Sequence, residues 1–224
     1  MPLKIAVLVS GGGSNLQSII DKIEAGVLDA EIRLVVSNKA GAFGLSRAEK
    51  HGIARQAILH TDYESREAFD LAMVEAIRAA GADTVIMAGF MRIITRGFLD
   101  AFPGRVINIH PALLPSFPGV HGQGDAADYG VRISGCTVHF VDEKMDHGPI
   151  IIQAAVPAYP DEGGDGLGPR ILELEHRIFP QAIQWLAEGR LTIKGRQVLL
   201  ADCGKPVAML DAVALVNPPL EEGF

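Results

Sequence analysis

Lys4-Ile5-Ala6-Val7-Leu8-Val9-Ser10-Gly11-Gly12-Gly13-Ser14-Asn15 decides the fold class of this chain. Ile5 to Val9 are apolar without alternation, as a strand buried on both faces requires. The glycines that follow open a tight turn, with Ser14 or Asn15 as the expected helix cap. Leu16, Ile19, Ile20 and Ile23 recur at i, i+3, i+4 and i+7 and form one apolar helix stripe, which Gly26 is expected to end. Strand, glycine turn and helix together are the start of a βαβ unit.

The same grammar continues outward. Ile32 to Val36 reads as a second buried strand, Phe43 to His51 as a helix and Ala54 to Leu59 as a third strand. Thr61-Asp62-Tyr63-Glu64 matches a capping box, with Thr61 as cap. The helix it is expected to open buries Phe69, Met73, Ile77 and Ala80 and stops at Gly81. Thr84 to Ala88 and Val106 to His110 read as the fourth and fifth strands. Strands alternating with helices imply a parallel sheet with right-handed crossovers.

After Pro111 the grammar changes. Pro115, Pro118, Gly119, Gly122 and Gly124 predict a long loop. Cys136 to Val141 and Ile150 to Val156 are separated by a short polar turn and predict an antiparallel pair. Asp161 to Gly168 is Gly-rich and is expected to be a mobile loop. Leu167 or Gly168 to about Ala187 predicts a helix burying Ile171, Leu174, Ile178, Ile183 and Leu186. The tail from Arg190 carries weak strand signals. With no repeat and no linker, 1–224 reads as a single domain: a phosphate-binding βαβ half (1–110), a second half (111–190) and a tail (191–224). The fold class expected is α/β, a Rossmann-like, mostly parallel sheet with helices on both faces and an antiparallel C-terminal extension.

Composition narrows the partners. The 224 residues are 48% hydrophobic and 21% charged, which suits a globular core and argues against disorder. The net charge of -7 and the lack of any Lys/Arg run argue against nucleic acid or an anionic membrane as the main partner. Cys136 and Cys203 are far apart and in no metal spacing, which reads as reduced thiols of a cytoplasmic protein. The longest apolar run, Val85 to Met91, is too short to span a bilayer.

Two segments carry chemistry. The glycine loop presents backbone amides and a helix N-terminus, the geometry that binds phosphate. A P-loop needs Lys after the glycines, and Ser14-Asn15-Leu16 stands there instead. A dinucleotide fingerprint needs a third glycine at position 16 and an acidic end to the second strand, which here ends in Ser37-Asn38. A phosphate monoester therefore fits better; a tight turn serving only helix–strand packing is the alternative. In Val106-Ile107-Asn108-Ile109-His110-Pro111, Asn108 and His110 alternate onto one strand face. An amide donor beside a titratable ring suits a reaction that develops negative charge on oxygen. Of the carboxylates in the turn 142–148, Asp146 beside Gly148-Pro149 is the best partner for His110. Solvated turn carboxylates, and a merely structural His139, are the bland readings. No metal is expected, because the His110/His139/Asp146 spacing matches no metal motif.

These residues resemble the phosphoribosylglycinamide formyltransferase family of folate-dependent enzymes. The matching segments are "VLVSGGGSNLQSII" (7–20), "SNKAGAFGLSRA" (37–48), "MAGFMRI" (87–93), "VINIHPALLPSFPG" (106–119), "TVHFVDEKMDHGPII" (137–151) and "EHRIFP" (175–180). The resemblance implies the formyltransferase fold and formyl transfer from 10-formyltetrahydrofolate to the amine of glycinamide ribonucleotide, in purine synthesis, without a metal. It implies catalytic roles for Asn108, His110 and Asp146. It places the substrate phosphate at Gly13, Ser14 and Asn15 and the glycinamide end at Glu175. It places folate against Arg66, Met91, Arg92, Ile93, Ile94, Val141 and Asp142. Segment 121–128 departs from the family pattern by its glycine content. A monomer or homodimer is expected.

A formyltetrahydrofolate hydrolase, using the same three residues with water as acceptor, is the alternative enzyme class. The chain begins directly at its first strand, where hydrolases usually carry a regulatory domain, and this favours the transferase. The tail is short and acidic, which disfavours a transfer-RNA formyltransferase. A non-catalytic phosphometabolite-binding module is the remaining reading.

Overall fold

A computed structural model describes residues 1–203, 208–210 and 214–224. They gather into two compact units, Met1–Asn108 with Val141–Glu143, and Ile109–Phe140 with Lys144–Phe224.

The first unit is built on parallel strands β1 (Leu3–Val9), β2 (Ala30–Ser37), β3 (Arg55–Ala57), β4 (Thr84–Met87) and the first residues of β5 (Val106–His110). Their order is β3-β2-β1-β4-β5. The order therefore reverses at β1 and β4, which pair from Ile5 with Thr84 to Leu8 with Met87. In open α/β sheets, ligands bind beyond the carboxyl ends of strands at such a reversal. Helices α1 (Ser14–Glu24), α2 (Phe43–Lys50), α3 (Arg66–Ala79) and α4 (Arg96–Ala101) connect the strands. Phe69, Met73 and Ile77 of α3 pack with Leu8, Val36, Val85, Phe98 and Val106 in one apolar cluster. Five residues of β1, Ile5 to Val9, have no exposed surface, as its unbroken apolar run predicts. Gly26 and Gly81 follow α1 and α3 with φ of 71° and 77°, as predicted for helix stops.

Two caps differ from expectation. The residue before α1 is Gly13, with φ 69°, and no side chain caps the helix; Ser14 and Asn15 lie in its first turn. The left-handed backbone at Gly13 turns the chain, leaving no extended residue there to place a capping hydroxyl. The cap of α3 is Ser65, whose Oγ accepts the Ala68 amide at 3.1 Å. Thr61 lies in a separate 3-10 turn, His60–Asp62. Ala80 is only half-buried.

The second unit starts within β5, at Ile109. Strands β6 (Ile133–Phe140) and β7 (Ile150–Pro157) pair antiparallel as predicted. The tail supplies β8 (Leu191–Lys194), β9 (Gln197–Leu200), β10 (Ala208–Leu210) and β11 (Ala214–Asn217). β11 adds antiparallel to β7, and β10 to β11. Within the tail, 204–207 and 211–213 lie outside the described residues.

Both glycine-rich stretches expected as loops are helical. Helix α5 spans Gly122–Tyr129 and α6 spans Gly163–Ala187. The reason is packing. A Cβ at Gly164 would lie 3.0 Å from the Cα of Gly124, and one at Gly168 3.0 Å from the Gln123 amide nitrogen. Missing side chains let the two backbones meet, and that contact outweighs the low helix propensity of glycine. Ile171, Leu174, Ile178 and Ile183 are buried as predicted, whereas Leu186 is half-buried.

Candidate active site

In the second unit, β5 ends at His110, whose ring is almost fully buried. Its Nε2 lies 2.8 Å from the Phe117 carbonyl oxygen. A carbonyl only accepts, so Nε2 carries a proton. Its Nδ1 lies 3.6 Å from Asp146 Oδ2. Asp146 adopts φ 48°, a left-handed backbone that Asp tolerates better than most residues. The same Oδ2 accepts the Gly119 amide at 2.7 Å. The carboxylate is thus anchored by backbone on one side and aimed at the ring on the other.

His139 completes this cluster. The register of β6 against β7 shifts between Val138 and His139, the kind of irregularity that re-aims a side chain. His139 Nε2 lies 3.9 Å from Asp146 Oδ1, and Nδ1 lies 2.8 Å from the Phe140 carbonyl. Gly122 closes the other side: a Cβ there would meet His110 Nε2 at 3.0 Å. Among the described residues, no group of three or more His, Cys, Asp or Glu is arranged to hold a metal ion. Glu175 is buried on α6. Burial, and secondarily the Glu175 charge, push the Cys136 thiol well above its ordinary value, so it stays protonated and unreactive.

In the first unit, the glycine loop follows β1. Gly11 carbonyl accepts the Gly44 amide at 3.0 Å and Gly12 carbonyl accepts Arg47 Nε at 2.8 Å. A Cβ at Gly13 would lie 2.7 Å from Gly44 Cα, so the loop also packs closely on α2. Gly11 and Gly12 are exposed, with open space where a Cβ would stand. The close-packing turn is therefore present in this segment, and its exposed glycines leave open space beside it.

Segment 88–95 follows β4. Met91 and Ile93 are 55% and 48% exposed, whereas Ile94 is 4% exposed and belongs to the core. The Arg92 guanidinium stacks 5.5 Å over the Phe69 ring, and Arg66 is exposed at the start of α3. Val141 and Asp142 are half-buried, and the Val141 amide donates to the Val106 carbonyl at 2.9 Å. Asn108, paired in register with Met87, is half-buried and two residues before His110 on the same strand.

Of the expected site residues, the structure brings His110 and Asp146 together in one unit, which also holds Glu175. Gly13–Asn15, Arg66, Met91–Ile94, Asn108, Val141 and Asp142 belong to the other. Reading of the sequence missed the Phe117 carbonyl, the Gly119 amide and Gly122, all backbone features. It also missed Ser10 and Asp70. Ser10 had a signal, a hydroxyl ending an apolar strand directly before the glycines. Asp70 had a weaker one, a carboxylate beside Phe69 on the apolar helix. Burial pushes the Asp70 carboxyl above its ordinary value, while the Thr95 hydrogen bonds and the charges of Arg66 and Arg92 pull it partly back.

Comparison with known proteins identifies the family of the chain. Residues 3–183 match the family described as formyl transferase. The chain is 43% identical over 189 residues to the phosphoribosylglycinamide formyltransferase of Escherichia coli (strain K12), covering 84% of this chain and 89% of that protein. It is 47% identical over 192 residues to the trifunctional purine biosynthetic protein adenosine-3 of Drosophila melanogaster, covering 85% of this chain but spanning only 14% of that protein. The glycinamide ribonucleotide transformylase 1 structure from Symbiobacterium toebii superposes with a TM-score of 0.88 at 47% identity, covering 90% of this chain and 95% of that one. No helix among the described residues is long and apolar enough to cross a membrane.

Proposed function

Because the chain belongs to the phosphoribosylglycinamide formyltransferase family, we propose that it moves a formyl group from 10-formyltetrahydrofolate to the amine of glycinamide ribonucleotide. The observation that carries the chemistry is the buried His110 ring facing the anchored Asp146 carboxylate at 3.6 Å.

The amine nitrogen attacks the formyl carbon and makes a tetrahedral species with an oxyanion and an ammonium. The Asn108 amide and the protonated His110 ring supply donors to that oxygen; losing one such donor typically costs about 10²–10³ in rate. Asp146 holds the ring in place through Nδ1. For His110 to serve the substrate through Nε2, its proton leaves the Phe117 carbonyl for the developing oxyanion. The carbon–nitrogen bond to the folate then breaks, and the ammonium proton passes to the leaving folate nitrogen through water ordered by Asp146. The transfer as written needs no metal and no redox cofactor.

Gly13, Ser14 and Asn15 bind the ribonucleotide phosphate through backbone amides and the start of α1. Glu175 meets the glycinamide amine. The exposed Met91 and Ile93 offer folate an apolar surface, with Ile94 supporting them from the core. Arg66 and Arg92 receive its anionic tail and ring, and Val141 and Asp142 border the same subsite.

The test is a folate-absorbance assay with both substrates. Turnover is expected to require the ribonucleotide, and His110→Ala, Asp146→Ala and Asn108→Ala are each expected to lose about 10²–10³ in kcat. Near-wild-type turnover in all three overturns the catalytic assignment. Formate release without the acceptor overturns the transferase in favour of a hydrolase.

A further inference from the structure

Segment 88–95, between β4 and α4, is held by two buried side chains from other elements. At its start, Ser10 Oγ accepts the Met91 amide at 2.8 Å and donates to Asn38 Oδ1 at 2.6 Å. The Ser10 amide donates to the Gly89 carbonyl at 3.0 Å. One residue at the end of β1 thus grips the segment twice and also touches the end of β2. At the far end, Asp70 Oδ2 accepts the Thr95 amide at 2.6 Å. Ser10 and Asp70 are 6% and 2% exposed.

Burying a carboxylate is costly, and part of that cost is offset here by a short charge-assisted bond from the Thr95 amide, with the charges of Arg66 and Arg92 adding to it. That bond fixes the segment where it displays two apolar side chains to solvent. Ser10 also stands directly before Gly11, so the hydroxyl that holds the Met91 amide sits at the root of the glycine loop. Both loops leave the carboxyl ends of β1 and β4, the adjacent strands where the sheet order reverses.

We propose that Ser10 and Asp70 are positioning residues: Asp70 sets the folate-facing segment alone, and Ser10 sets that segment and the phosphate loop together. The proposal rests on the subsites assigned above. Neither residue touches the reacting atoms. Each acts by keeping a backbone amide, and the side chains beside it, in the geometry that binds.

The experiment is steady-state kinetics on Asp70→Ala, Asp70→Asn and Ser10→Ala, with a thermal melt of each. Asp70→Ala is expected to raise the KM for 10-formyltetrahydrofolate about tenfold, the usual scale for a lost bond to a charged group. The KM for the ribonucleotide should stay within about twofold of wild type. Asp70→Asn keeps an oxygen for the Thr95 amide and should recover most of the loss. Ser10→Ala should raise both KM values, each by about fivefold or more. Should Asp70→Ala fail to fold, Asp70→Asn against wild type and Ser10→Ala still decide the matter. A lower melting temperature with both KM values unchanged overturns the proposal and leaves the two residues structural. Equal losses in Asp70→Asn and Asp70→Ala overturn the role of the acceptor oxygen. A wild-type chain that does not turn over these two substrates overturns the parent reading and this one together; normal wild-type turnover with unmoved variants overturns this one alone.

Discussion

Glycines in the two units illustrate two different uses, torsion and close packing. In the first, Gly13, Gly26 and Gly81 stand at helix ends with φ of 69°, 71° and 77°. In the second, Gly135 and Gly164 stand inside elements, where what matters is the absent side chain. A Cβ at Gly135, within β6, would lie 1.9 Å from the Ala154 carbonyl oxygen on β7. Gly164, within α6, meets Gly124 of α5. A torsional glycine marks a boundary, and its neighbours in sequence reveal it. A packing glycine marks a contact with a residue far along the chain, and nothing local reveals it.

The largest expected effect breaks or confirms that division directly. Gly135 has no left-handed φ, so alanine there is excluded by space alone. Two strand backbones must separate, and Gly135→Ala should lose about 3 kcal/mol or more, lowering the melting temperature by roughly 6–12 °C. Gly13→Ala meets both a left-handed torsion and the Gly44 backbone at 2.7 Å. It should lose about 2 kcal/mol and weaken ribonucleotide binding as well. If Gly135→Ala melts with the wild type, the strands there are looser than the contact implies.

The same division explains what was legible. The first unit's strands and its helices α1 to α3 were readable from apolar runs and stripes, with torsional glycines ending α1 and α3, whereas the short α4 was not anticipated. In the second unit, β6 and β7 were readable from the short polar turn between them. Segments 122–128 and 163–166 were misread as loops because Gly124 and Gly164 serve the α5–α6 contact. The site divides similarly. Asn108 and His110 were visible through strand alternation, and Asp146 through the Gly148-Pro149 turn. The groups that hold Asp146 and His110, the Gly119 amide and Phe117 carbonyl, carry no residue-type signal. Phe117 takes φ 54° without being glycine, and no sequence rule anticipates that. The roles proposed for Glu175 and for the folate subsite came from family resemblance, since spacing alone assigns neither a ligand.

A smaller effect contrasts one carboxylate from each unit. Burial raises Asp70, so its contribution to stability is complete below its unfolded value of about 3.9 and is lost as pH rises through the folded value. Glu162 is lowered, chiefly by its hydrogen bonds from Arg170 at 2.6 and 2.7 Å. Its contribution is complete above about 4.3 and is lost as pH falls through the folded value. Melting curves of Asp70→Asn and Glu162→Gln across acidic to neutral pH should therefore diverge from wild type in opposite directions. Wild type gains on Asp70→Asn as pH falls, and loses its lead over Glu162→Gln. Parallel trends would mean that one of the two carboxylates is not held as described.

The smallest effect concerns the second of the two caps misplaced in the first unit, that of α3. Thr61 and Ser65 are four residues apart, close to one helical turn. Starting α3 at either leaves Phe69, Met73 and Ile77 on the same face, so the apolar stripe cannot choose between them. The choice is made by Tyr63, whose backbone is extended at φ -121° and ψ 141°. Its ring packs edge-on against Phe69 with centroids 5.8 Å apart. A helix begun at Thr61 would force Tyr63 into helical torsions and pull that ring away. Ser65→Ala should therefore lose about 1 kcal/mol, or roughly 2–4 °C, and Thr61→Ala less than about 0.5 kcal/mol. A reversed order would show the helix reaching back past Tyr63 in solution, with the Tyr63–Phe69 contact too weak to stop it.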